Sequence, residues 1–169
     1  MSTRFYVGLD GVFNSPGAPR SWGLESSDST DFGGYTFIWS TSAVSKFLAF
    51  CHENGAELVW LTSWWEDISV LARLMGFGQF GADARVIEQV GNSWSVKADA
   101  LLQDLKDFPM AEDGKWIWLD PATSDASESL EFLRLHPRFL DGLTPPIFEE
   151  TGITPALMSH LEAKLQGRT

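Results

Sequence analysis

Three short stretches of this chain are apolar almost without interruption, and each stops at a polar residue. Phe5-Tyr6-Val7-Gly8-Leu9 runs into Asp10, Glu57-Leu58-Val59-Trp60-Leu61 into Thr62, and Trp116-Ile117-Trp118-Leu119 into Asp120. A strand with one wet face alternates apolar and polar residues, so an unbroken run marks a strand buried on both faces. Between the runs the apolar period changes to that of a helix. Val44, Phe47, Leu48 and Cys51 fall at i, i+3, i+4 and i+7, and Ile68, Leu71, Ala72 and Met75 repeat that spacing. Ala98, Leu101, Leu102 and Leu105 form a third such face. Strands that alternate with helices and are apolar throughout predict an α/β chain, with a mainly parallel central sheet covered by helices on both faces. That is a Rossmann-like three-layer sandwich.

Local signals set the expected boundaries. Ser40, Thr41 and Ser42 offer N-caps to the first long helix, and Asn54-Gly55 stops it. Gly76 stops the second, and Ser95 is the expected cap of the third. Ser124 or Asp125 caps a helix through Leu130 and Leu133, and Thr154 with Pro155 at the first helical position opens a C-terminal helix with Leu157, Leu161 and Leu165. Residues 84–90 and 139–143 are weaker strand candidates. Residues 14–34 are rich in Ser, Gly, Pro and Asp and read as a long loop, followed by a short strand or hairpin arm at 35–39. A structureless loop of that length is uncommon in a compact domain and is often functional. The 169 residues fit one domain, 1–169, with no repeat.

Charge narrows the partners. The chain has 12 basic and 23 acidic residues, a net charge of −11. Duplex DNA and anionic membranes are recognised by clustered Lys and Arg, so neither is the expected main partner. A local phosphate site remains compatible, because a few backbone N–H groups and one Lys can make it. Cys51 is alone and lies within a helical apolar pattern, which reads as a core thiol in a reducing compartment. The three histidines show no metal-ligand spacing. The opening MSTRFYVGLDG lacks the apolar stretch of a signal peptide, and no run approaches the roughly 18 apolar residues of a membrane span. A cytoplasmic location is expected.

In open parallel sheets, ligands bind beyond the carboxyl ends of the strands. Asp10, Thr62 and Asp120 all fall there. Asp and Thr are also ordinary loop and cap residues, so position alone does not separate function from punctuation. Lys97 adds a further clue. A cation in the first turn of a helix opposes the helix dipole by about 0.3–1 kcal/mol, and a bound anion nearby would offset that. Trp64 and Trp65 follow the second strand end and are candidates to wall a pocket.

Taken together, these motifs resemble the haloacid dehalogenase (HAD) superfamily, whose commonest members are magnesium-dependent phosphatases. The resemblance covers nearly the whole chain. Gly8-Leu9-Asp10-Gly11-Val12-Phe13-Asn14 resembles the family's first motif, Asp-x-Asp-Gly-Val-x-Asn, and Leu61-Thr62-Ser63-Trp64 its second. Lys97 at a helix start matches the third, and Trp118-Leu119-Asp120 the fourth. Gly142-Leu143-Thr144-Pro145 resembles a stretch found late in a small bacterial branch of the family.

The resemblance implies roles. The first Asp of the family attacks phosphorus and forms an aspartyl-phosphate. The second protonates the leaving group and then activates water. A Thr or Ser and a Lys hold the phosphoryl oxygens, which here implies Gly11, Thr62, Ser63 and Lys97 as phosphate ligands. Acidic residues hold Mg²⁺, which here implies Asp10, Asp120 and Asp125. Asp125 is either that second acidic ligand or a helix N-cap. The family's cap insertion corresponds to residues 14–40, too short for a cap domain and expected to form a small, partly mobile flap.

One departure dominates. The nucleophile position is Gly8, and Pro121 follows Asp120 where family members often have a second Asp. Loss of a nucleophile costs a factor of about 10⁶, or roughly 8 kcal/mol of transition-state stabilisation. Neither Thr62 nor Lys97 replaces it, and Mg²⁺ affinity should fall. The expectation is a degenerate HAD-like pseudoenzyme without ordinary phosphatase activity, which binds a partner or a phosphorylated ligand at the old active-site face. The alternative is an active Mg²⁺-dependent phosphohydrolase with Asp10 as general acid/base.

Overall fold

The computed structural model describes residues 2–88, 93–121, 142–143 and 147–167. At its centre lies a parallel sheet of five strands, β1 (Thr3–Val7), β4 (Glu57–Trp60), β5 (Arg85–Val86), β6 (Lys115–Leu119) and β7 (Gly142–Leu143). Their spatial order is β5-β4-β1-β6-β7, and every neighbouring pair is parallel. A separate antiparallel hairpin joins β2 (Ser27–Phe32) to β3 (Tyr35–Ser40). The helices are α1 (Ala18–Trp22), α2 (Thr41–Glu53), α3 (Ile68–Leu74), α4 (Gly78–Ala82), α5 (Trp94–Asp107) and α6 (Pro155–Leu165).

The apolar runs bury both faces of the sheet, as their composition requires. Successive strand residues point to opposite faces. Phe5 and Val7 of β1, Leu58 and Trp60 of β4, and Ile117 and Leu119 of β6 enter one core with the apolar sides of α2, α3 and α6. Tyr6, Val59, Trp116 and Trp118 enter a second core with Ala98, Leu101, Leu102 and Leu105 of α5. Cys51 is buried in the first core, where burial pushes its thiol up to about 12. Among the described residues no helix is long and apolar enough to cross a membrane.

Several boundaries differ from expectation. β1 covers 3–7 rather than 5–9. Leu9 is fully buried yet outside the ladder, because its carbonyl accepts the N–H groups of Val12, Phe13 and Asn14 in a tight turn. Apolar composition reports burial, and here burial outlasts strand pairing. The cap of α5 is Ser93 rather than Ser95, with Ser95 Oγ 2.8 Å from Ser93 Oγ. The long loop at 14–34 is instead α1, a single 3-10 turn at Leu24–Ser26, and β2. β2 reads Ser-Asp-Ser-Thr-Asp-Phe and carries almost no apolar signal, so only its pairing with β3 reveals it. Gly33 and Gly34, both at positive φ, make the two-residue turn between them. The strand expected at 84–90 is described only as Arg85–Val86, and that expected at 139–143 only as Gly142–Leu143. The helix expected from Ser124 or Asp125 through Leu133, and Thr144-Pro145, lie outside the described residues.

Candidate functional site

The carboxyl ends of β1 and β6 open onto a cleft of about 850 Å³. Asp10, Gly11, Lys97 and Asp120 all line it, so four of the residues singled out by sequence converge there. Lys97 comes from the first turn of α5 and Asp120 directly follows β6. Both are buried, at 8% and 2% exposure, and Lys97 Nζ lies 2.6 Å from Asp120 Oδ2.

Position 8 explains how this pair forms. The β1–β6 register pairs Val7 with Leu119, and the Gly8 N–H donates to the Leu119 carbonyl at 2.9 Å. Residues 8 and 120 therefore stand side by side at the sheet's edge. A Cβ built on Gly8 would lie 2.4 Å from Asp120 Oδ2 and 3.2 Å from its Cγ. The Asp120 carboxylate fills the space that any side chain at position 8 would need.

Asp10 differs in character. It is exposed, and both its oxygens accept hydrogen bonds. Asn14 Nδ2 donates at 2.7 Å and Trp64 Nε1 at 2.9 Å. Asn14 Oδ1 in turn accepts the Ile38 N–H of β3 at 2.9 Å, which ties the first turn to the hairpin. Trp64 also meets Tyr35 and Phe37 of β3 edge-on, with ring centroids 5.3 and 5.0 Å away. Asp10 is thus the node at which the β1 turn, the β4 end and the hairpin meet. Gly11 takes φ +72, and a Cβ there would come within 2.3 Å of Pro121 Cγ, so both conformation and space require glycine. Its N–H donates to the Asn14 carbonyl at 2.9 Å, within the turn rather than toward the cleft.

The remaining expected residues do not converge. Thr62 is buried, and its Oγ1 accepts the Trp64 N–H at 3.2 Å. Ser63 is exposed on the same turn. Neither is among the cleft's lining residues. Asp125 lies outside the described residues. No group of three or more His, Cys, Asp or Glu suited to a metal stands among the described residues. Asp10 and Asp120 are each engaged by hydrogen-bond donors. The described residues therefore do not assemble a ligand set for Mg²⁺.

The cleft also has walls that sequence reasoning missed. Trp94, Phe148, Glu149 and Glu150 line it, and Phe148 is 60% exposed. The 148–152 turn is locked to the chain near Asp10: Ser15 Oγ donates to the Glu149 carbonyl at 2.9 Å, and the Ile153 N–H to the Val12 carbonyl at 2.9 Å. These contacts join segments far apart in sequence, and no local pattern announces them. The chain matches no family model, no curated protein and no solved structure.

Proposed function

We propose that this protein is a degenerate HAD-like phosphatase relative that binds a phosphorylated ligand at the carboxyl-edge cleft without turning it over. The observation that carries the reading is the occupation of position 8. A phosphatase of this kind needs a carboxylate there, and Gly8 supplies none. The adjacent space is taken by Asp120, which is itself held by Lys97. The cleft still collects Lys97, the first turn of α5 and Asp10 at one edge, the arrangement expected of a phosphoryl-binding site that has lost its nucleophile.

Such a domain holds its ligand by position and charge, and the bond to phosphorus stays intact. Lys97 supplies the cation. Asp10 holds the hairpin by accepting from Asn14 and Trp64.

One titration tests the reading. An aryl phosphate is added with Mg²⁺ to the full chain, and phosphate release and backbone amide shifts are followed together. The expected result is saturable shifts at Gly11, Trp94 and Lys97 with no release above background. Release at several per second overturns the loss of catalysis, and an unmoved cleft overturns ligand binding.

A further inference from the structure

We propose that Asp120 is a built-in competitor for the anion seat at Lys97, so that the cleft of the resting protein is occupied by its own carboxylate. The inference rests on the reading of the cleft as a phosphoryl-binding face and describes how that face is controlled. Two distances meet at one oxygen. Asp120 Oδ2 lies 2.6 Å from Lys97 Nζ. The same Oδ2 stands 2.4 Å from where the Cβ of a residue at position 8 would be. That is also how far an aspartate's own carboxylate oxygens stand from their Cβ. An oxygen of Asp120 therefore sits at the distance that the carboxylate oxygen of an aspartate at position 8 would have, with the cation already against it. Both Lys97 and Asp120 are more than nine-tenths buried, yet they border the cleft.

The consequence is competition. A phosphate group reaching Lys97 must displace a carboxylate that is pre-positioned and needs no association from solution. The glycine makes this possible, since any side chain at position 8 would push the Asp120 carboxylate aside. The loss of the family's nucleophile and the closing of the seat are then one event: the residue lost from β1 is replaced by an inert occupant from β6.

Inorganic phosphate is the probe. Binding to the full chain is measured by calorimetry at constant ionic strength for the wild type, Asp120→Asn, Gly8→Ala and Asp120→Asn/Lys97→Met. Asp120→Asn keeps the shape and removes the charge, so phosphate should bind at least about tenfold more tightly than to the wild type, a change of about 1.4 kcal/mol. Its melting temperature should also rise more with added phosphate, because the anion stabilises only the folded state. The second substitution in Asp120→Asn/Lys97→Met should abolish the gain. Gly8→Ala keeps the carboxylate but displaces it, and should also bind phosphate more tightly, which decides the matter if Asp120→Asn does not fold. Equal or weaker binding in the folded variants overturns the inference, and so does a gain that survives Lys97→Met. The two readings fail separately. If the variants gain phosphate but the wild type shows no cleft binding of an aryl phosphate, the competitor stands and the proposed function falls. If the wild type binds the aryl phosphate and the variants gain nothing, the reverse holds.

Discussion

Helix α5 carries a buried charge near each end, and both have the wrong sign for the helix dipole. Lys97 sits in the first turn and Asp104 in the last, roughly 10 Å of helical rise apart. The two ends of the sheet answer this differently. At the amino end, Asp104 joins a network: the Tyr6 hydroxyl donates to it at 2.7 Å, and Arg85 forms an ion pair with it. Arg4 donates to Glu57 at 2.6 Å and to the Phe108 carbonyl at 2.8 Å. Arg85 reaches Glu57 at 2.8 Å and lies 4.2 Å from the Phe108 ring centroid. At the carboxyl end, Lys97 meets Asp120 on the wall of a cleft. A charge tied into a many-membered network reads as architecture. A buried pair on a cleft wall reads as a site.

The largest expected effect lies at the amino end. Asp104→Ala removes one of the two ion pairs of Arg85 and leaves the Tyr6 hydroxyl without its acceptor. Breaking a buried pair from one side costs about 3–5 kcal/mol. Urea unfolding should show a midpoint lowered by that amount divided by an unchanged slope.

A pair of double variants sharpens the contrast. Lys97→Met alone takes the cation from beside the buried Asp120 carboxylate and should destabilise the fold by a few kcal/mol, near the lower end of about 3–5 kcal/mol. Adding Asp120→Leu removes that buried charge, and the double variant should return to within about 1 kcal/mol of the wild type, since apolar replacements of buried pairs are often neutral. The matching pair at the other end, Arg85→Met with Asp104→Leu, should not recover, because Tyr6 and Arg4 also lose a partner there. Full recovery at the amino end, or none at the cleft, removes the distinction between the two ends.

That distinction was only partly legible in the sequence. The sheet, its parallel sense and the helices on both faces follow from three apolar runs and their periodic spacers. Asp10, Lys97 and Asp120 were legible because each follows or faces a strand end. The Arg4–Glu57–Arg85–Asp104 network was not, because four charged residues at strand starts and on a helix look like ordinary surface residues until the fold brings them together. The hairpin was hidden by the polar composition of β2. The contact between positions 8 and 120 depends on the register of two strands far apart in the chain, which no local pattern encodes.

Acid and alkali should also separate the two ends. Burial pushes the Glu57 carboxyl up, but hydrogen bonds from Arg85 and Arg4 outweigh this and hold it below its ordinary value of 4.5. A carboxylate depressed in the folded state stabilises at pH above its unfolded value, and that contribution is lost as pH falls through the folded value. Wild-type stability should therefore fall below about pH 4.5 more steeply than that of Glu57→Gln. The difference will be modest, since Glu57 is 42% exposed. Burial also pushes the Tyr6 hydroxyl up, against the pull of Arg4, so its neutral form is favoured in the fold. Its contribution is intact below pH 10 and declines at higher pH, and Tyr6→Phe should flatten that alkaline decline. Neither variant touches the cleft, so phosphate binding there should be unchanged at neutral pH.

The smallest effect tests how the cleft end is held together. Trp64→Phe keeps an aromatic ring against Tyr35 and Phe37 but removes the Nε1 donor to Asp10. A single hydrogen bond contributes about 0.5–1.5 kcal/mol, and an exposed acceptor such as Asp10 places this one near about 0.5 kcal/mol. Global stability should barely move. Hydrogen exchange of the hairpin amides should quicken, because one of the two links from Asp10 toward β3 is cut while the Asn14 link remains. Exchange at the Arg4 and Tyr6 amides should not change. If the hairpin exchanges as slowly as before, the Trp64–Asp10 bond adds nothing to its hold, and the Asn14 link and the aromatic contacts carry it.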